Sequence, residues 1–253
     1  MEKRGALMPA RHQIRVMELR RILCAGHFKP GWRACSLADM IISRGRNYIF
    51  VHIPKTGGTS MALALEGRAM KDDILIGDTP KARRRRRRLD GAGARGRVWK
   101  HSTLADIEGL VPQAQIAQAF TFTLVRNPWD RLVSYYHWLR TRSFDHPAVH
   151  LAARVGFSGF LNAPETQLSL RAAPYGHYMR GASGAEHCDA YIRLEHLDAD
   201  AAPLWAHLGF ELALPRENAS PRGRDYRPYY TTGDADLVAA LCAEDIARFG
   251  YTF

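Results

Sequence analysis

The segment His52-Ile53-Pro54-Lys55-Thr56-Gly57-Gly58-Thr59-Ser60 restricts the fold of this chain more than any other, because of what stands on either side of it. The apolar run Tyr48-Ile49-Phe50-Val51 before it reads as a buried strand. Met61 to Gly67 after it reads as a short helix stopped by glycine. A strand, a glycine-bearing loop with a lysine and then a helix make the geometry of a phosphate cradle. The glycines let backbone approach the ligand, and the first N–H groups of the helix face an anion. Lys55 adds a point charge, and Thr56, Thr59 and Ser60 add hydroxyls. The lysine precedes the glycines here, whereas in the G-x-x-x-x-G-K-[ST] loop it follows them, which argues against an ordinary nucleoside triphosphatase.

A second segment, Phe120 to Arg142, strengthens the first. Phe120-Thr121-Phe122-Thr123-Leu124-Val125 is rich in β-branched and aromatic residues and reads as a strand. Asn127 then suits a helix N-cap and Pro128 the first helical position. Trp129, Leu132, Val133, Tyr136 and Leu139 form an apolar stripe on that helix, and Ser134 falls off it. Arg126 sits at the carboxyl end of the strand, where open α/β sheets bind ligands, and its fork suits a second phosphate. A structural ion pair is the competing reading for that arginine.

Together the two segments resemble the nucleotide-binding signatures of sulfotransferases that use 3′-phosphoadenosine 5′-phosphosulfate (PAPS). FVHIPKTGGTS is similar to the 5′-phosphosulfate loop of the carbohydrate sulfotransferase branch, the heparan and chondroitin type. TLVRNPWDRLVSYY is similar to the 3′-phosphate signature, an arginine followed eight residues later by a serine. The resemblance implies that Lys55, Thr56, Gly57, Gly58, Thr59 and Ser60 hold the 5′ side, and that Arg126 and Ser134 hold the 3′-phosphate. It continues in Tyr191-Ile192-Arg193-Leu194-Glu195-His196-Leu197 and in the carboxyl-terminal residues around Tyr229-Tyr230. Arg222, in Ser220-Pro221-Arg222-Gly223-Arg224, resembles in part a basic glycine loop that closes on the 3′-phosphate elsewhere in the family.

Sulfuryl transfer, like phosphoryl transfer, needs in-line geometry, compensation of charge on the leaving oxygen and a base for the incoming hydroxyl. Lys55 suits the leaving phosphate. His101, expected at the end of a strand over 97–101, is the leading base, as the resemblance implies; Glu66 is the alternative. Arg193 and Glu195 suggest an ion pair at a strand-to-helix turn. The remaining histidines lack metal-ligand spacing, so no metal is expected.

The expected architecture is α/β: a three-layer P-loop-like domain with a mostly parallel central sheet flanked by helices, from strands near 47–53, 97–101, 120–125 and 189–193. The expected organisation is an N-terminal extension over 1–45, with an amphipathic helix at 13–24, and a sulfotransferase domain over 46–253. The run Arg83 to Arg88 supplies six charges of the net +11, and with Gly91, Gly93 and Gly96 it reads as an exposed loop insertion over 81–97. That run is a solvated insertion, a basic lip that steers an acidic acceptor or the nucleotide, or a nucleic-acid contact, against which the lack of interleaved aromatics argues. Four scattered cysteines, no apolar leader and no bilayer-length apolar stretch suggest a soluble bacterial protein of the cytoplasm. The functional expectation is transfer of a sulfo group from PAPS to a hydroxyl acceptor, a carbohydrate and possibly an acidic one, without nucleic acid. A small-molecule kinase and a basic polyanion-binding protein are the alternatives.

Overall fold

A computed structural model describes residues 39–89, 93–215 and 223–253. The 13–24 helix expected from sequence lies outside them. Five strands form one sheet in the order β3-β1-β2-β4-β5: β1 Asp39–Ser43, β2 Tyr48–Val51, β3 Ile74–Gly77, β4 Phe120–Val125 and β5 Ala190–Arg193. β2, β4 and β5 run parallel, with Tyr48 opposite Phe120 and Phe122 opposite Ala190. β1 is antiparallel to both β2 and β3. The sheet is therefore mixed, and β1 begins upstream of residue 46, where the domain was expected to start.

The helices are α1 Gly58–Gly67, α2 Pro80–Arg85, α3 Leu104–Ile107, α4 Gln113–Gln118, α5 Pro128–Arg140, α6 Pro147–Arg154, α7 Phe157–Asn162, α8 Pro164–Ala172, α9 Tyr175–Tyr178, α10 Leu197–Asp200, α11 Ala202–Leu208, α12 Thr232–Leu241 and α13 Ala243–Phe249. Strand alternation decides which face each covers. Ile41, Tyr48, Phe50, Phe122 and Ile192 pack against Met61 and Leu65 of α1 and Leu204 of α11. Met40, Ile42, Ile49 and Val51 point the other way, against Leu104 and Ile107 of α3 and Ile116 of α4. The rings of Phe50 and Phe122, 5.2 Å apart, join the two parallel strands that lead into the site. Each such fully buried side chain contributes about 1.5–3 kcal/mol through burial. Among the described residues no helix is long and apolar enough to cross a membrane.

Two expectations are corrected. Residues 97–101 form a turn and not a strand: the Ser102 hydroxyl accepts from the Trp99 N–H and donates to the carbonyls of Arg97 and Trp99. A side chain that offers the backbone local partners competes with a sheet ladder. The arginine run is not a loop, because it forms α2 and a following 3-10 turn over Arg86–Leu89. Thr79 caps α2 by accepting from the Ala82 N–H, and Pro80 holds the first position. Lys81 and Arg85 donate to carbonyls of Glu66, Met70 and Asp73, which leaves Arg83, Arg84, Arg86 and Arg87 exposed.

Candidate active site

The loop after β2, the turn carrying His101 and the start of α5 converge at the carboxyl ends of the parallel strands. The first loop turns sharply at two residues. Lys55 has φ +67° and Gly57 has φ +85°, both left-handed. That conformation costs a non-glycine residue roughly 1 kcal/mol, so Lys55 needs its surroundings to hold it. Thr56 is buried and donates its hydroxyl to the Ile53 carbonyl at 2.9 Å, closing the turn from inside. Gly57 caps α1 without a side chain, and no acidic residue stands in the first turn. The positive end of α1 is thus open to an anion.

Both glycines are required by their neighbours. A Cβ on Gly58 would stand 2.2 Å from Cδ2 of His52, and one on Gly57 would stand 2.7 Å from a methyl of Leu194. His52 is itself buried, stacked near Phe50, and its Nδ1 has no hydrogen-bond partner among the described residues.

His101 lies beside it, with ring centroids 4.6 Å apart. Its Nδ1 is 2.8 Å from the His52 carbonyl oxygen. A carbonyl only accepts, so Nδ1 carries the proton, and in the neutral ring Nε2 keeps its lone pair. Burial, then the nearby Lys100, push the His101 imidazole down to about 3, with Arg131 and Lys55 adding to the effect. Burial and the His101 neighbour lower His52 as well. Both rings are neutral around pH 7.

At the start of α5 the cap is as expected. The Asn127 side chain accepts from the Trp129 N–H at 3.0 Å and donates to the Thr252 carbonyl at 2.9 Å. The Arg126 guanidinium meets Asp130 at 2.8 and 2.6 Å and reaches the Lys55 carbonyl at 3.4 Å. The ion-pair reading of Arg126 therefore holds, alongside a direct link to the first loop. Arg131 donates to the Pro54 carbonyl at 3.0 Å. The Lys55 ammonium lies 5.6 Å from the centre of the Trp138 ring. The arrangement can bind one anion at α1, a second near Arg126, and present a neutral imidazole between cations.

A profile described as "Sulfotransferase family" matches residues 38–204, about two thirds of the chain. The chain belongs to the sulfotransferase family. Among solved structures this sulfotransferase is similar to mouse sulfotransferase SULT7A1 complexed with PAP, at 16% identity, with 81% of this chain and 85% of that one covered and a TM-score of 0.38. No curated protein matches it.

The remaining candidates of this sulfotransferase separate clearly. Lys55, Thr56, Gly57, Gly58, Thr59, Ser60, His101 and Arg126 gather at one end of the sheet. Ser134 is buried and not off the apolar side, because α6, α7 and α12 enclose α5 on several flanks. Arg222 lies outside the described residues. Glu66 is a structural anchor: its carboxylate accepts from the Thr79 hydroxyl that caps α2. Arg193 pairs with Asp200 and not with Glu195, at 2.7 and 3.0 Å. Glu195 instead accepts from the Asn127 N–H at 2.7 Å, tying the end of β5 to the second segment. Arg131 and Trp138 went unrecognised as residues near the site, whereas the buried place of His52 behind the loop is the supporting role its position after the strand suggests. A second arginine five residues after Arg126, one position before the apolar pair Leu132-Val133, was the available signal for the first of the two.

Proposed function

We propose that this sulfotransferase moves a sulfo group from PAPS to a hydroxyl of a carbohydrate. The observation that carries the reading is the His101 contact with the His52 carbonyl, which leaves Nε2 as the acceptor of a proton beside the Lys55 loop. PAPS supplies the activated sulfo group. Lys55, Thr56, Gly57, Gly58, Thr59 and Ser60 hold its 5′ side, and Arg126 and Ser134 hold its 3′-phosphate. Arg126 can exchange part of its Asp130 pairing for phosphate oxygens, since a guanidinium carries five donors.

The acceptor oxygen attacks sulfur as the bond from sulfur to the 5′-phosphate oxygen breaks. The hydroxyl proton passes to Nε2 of His101, and the charge left on the phosphate meets the Lys55 ammonium. Burial, and after it the surrounding cations, make His101 a poor base before the donor binds. The negative donor offsets Lys55 and Lys100 and raises its basicity once bound. The exposed face of Arg83, Arg84, Arg86 and Arg87 favours an acidic glycan, and Asp78 links it to Lys100 next to His101. Scattered cysteines support a cytoplasmic setting.

Calorimetry with 3′-phosphoadenosine 5′-phosphate (PAP) beside AMP, ADP and Mg-ATP tests the donor. Tight binding of PAP without magnesium, lost in Arg126→Ala, is expected. Preference for Mg-ATP would make the protein a kinase.

A further inference from the structure

Two consecutive carbonyls of the first loop are held from the second segment: Pro54 by Arg131 at 3.0 Å and Lys55 by Arg126 at 3.4 Å. The two arginines differ in what else they do. Arg126 is committed to Asp130 and, in the reading above, to a phosphate. Arg131 instead rests its guanidinium 4.8 Å over the ring of Tyr175, which is fully buried. Tyr175 is fixed at both ends: its hydroxyl donates to the Arg126 carbonyl, and its N–H donates to the buried Asp245 at 2.9 Å. A continuous line of contacts thus runs from α13 through Tyr175 and Arg131 to the residue before Lys55. At its end Lys55 adopts a left-handed conformation that a lysine does not choose for itself.

We propose that Arg131 is a positioning residue for sulfo transfer, holding Pro54 so that Lys55 stays in its left-handed turn with its ammonium at the 5′ site. The inference rests on the PAPS reading. Its contacts are the Pro54 carbonyl and the Tyr175 ring, so its effect on the donor would pass through Lys55. Arginine is required because its Nε edge donates to Pro54 while the guanidinium plane lies on Tyr175; a lysine can satisfy one contact or the other.

A double-mutant cycle on PAP binding tests this without an acceptor. Arg131→Gln weakens PAP about tenfold when Lys55 is present and less than about twofold in the Lys55→Ala background, since the lysine it serves is gone. A merely structural role gives the same loss in both backgrounds, and that result overturns the proposal. So does a Lys55→Ala variant that binds PAP as the wild type does, because Arg131 would have nothing to act through. Arg131→Lys keeps the charge in the fold and is run in parallel; it shows the same dependence on Lys55 if Arg131→Gln does not fold. Failure of the wild type to bind PAP refutes the PAPS reading itself, whereas PAP binding with additive losses refutes the role of Arg131 alone.

Discussion

His101 donates through Nδ1 to the carbonyl oxygen of His52, 2.8 Å away, so the residue that follows β2 also chooses the tautomer of the proposed base. In the proposed reading the adjacent loop holds the donor, so the same backbone would present both the leaving group and the proton acceptor. Replacement of His101 by Ala removes the proposed base and leaves the loop proposed to hold the donor. Turnover is expected to fall about 10²–10⁴-fold with PAP affinity nearly unchanged, as steady-state kinetics and calorimetry will show. A parallel loss of PAP binding would place His101 in the cradle and not in the chemistry.

The two imidazoles also give the protein a defined acid response. Both are held below the ordinary histidine range in the fold, so the folded state binds protons less readily than the unfolded chain. Their contribution to stability is full above the unfolded value of 6.5 and is lost as pH falls from there toward about 3. Urea titrations between pH 8 and pH 4 should show a shallower acid loss in His101→Gln than in the wild type. Equal slopes would mean that the ring takes up its proton as readily in the fold as in the unfolded chain. NMR titration of His101 should find it neutral at pH 6 in the free protein and more basic when PAP is bound.

Lys55→Ala should lower turnover by about 10²–10³-fold through lost stabilisation of the leaving phosphate. Activity close to wild type in a PAPS assay would remove Lys55 from its assigned role.

Arg126→Ala should weaken PAP far more than AMP, which lacks the 3′-phosphate. A loss of about tenfold or more on PAP fits one charge-assisted pair of hydrogen bonds. Equal losses on the two nucleotides would show that Arg126 acts through the Lys55 carbonyl and not on the phosphate.

Gly58→Ala drives a methyl into the His52 imidazole. Overpacking of this kind costs about 1–3 kcal/mol, read as a lower unfolding midpoint. His52→Ala in the same chain vacates that space, so the double variant should be more stable than the sum of the two single losses predicts.

The sequence was informative wherever a local pattern and a long-range partner agreed. The β2 loop, the Asn127 cap and the strand at Phe120–Val125 show in the residues themselves, because cap chemistry and β-branched runs are local signals. β3 was missed because Ile74–Gly77 is short and its partner is β1, an antiparallel neighbour that no local pattern announces. The arginine run was misread for a different reason. Its glycines suggested a loop, but Thr79, Pro80 and the anchoring contacts of Lys81 and Arg85 outweighed the like-charge repulsion within α2. At the site, the residues expected to touch the donor could be found by motif. The ones that hold them, such as Arg131 on Tyr175, depend on α9 and α13 folding back, and no spacing in the chain encodes that.

The parallel pairing of Tyr48 with Phe120 has a consequence in time. The loop proposed to hold the donor leaves β2, while the arginines that restrain Pro54 and Lys55 arrive only after β4 has been made and docked beside it. A nascent or refolding chain thus owns the glycine loop long before it owns the cradle. Pairings between strands so distant in sequence form slowly. Affinity for a bisphosphorylated nucleotide should emerge as one of the last properties the chain acquires, and its appearance would time the closure of the sheet.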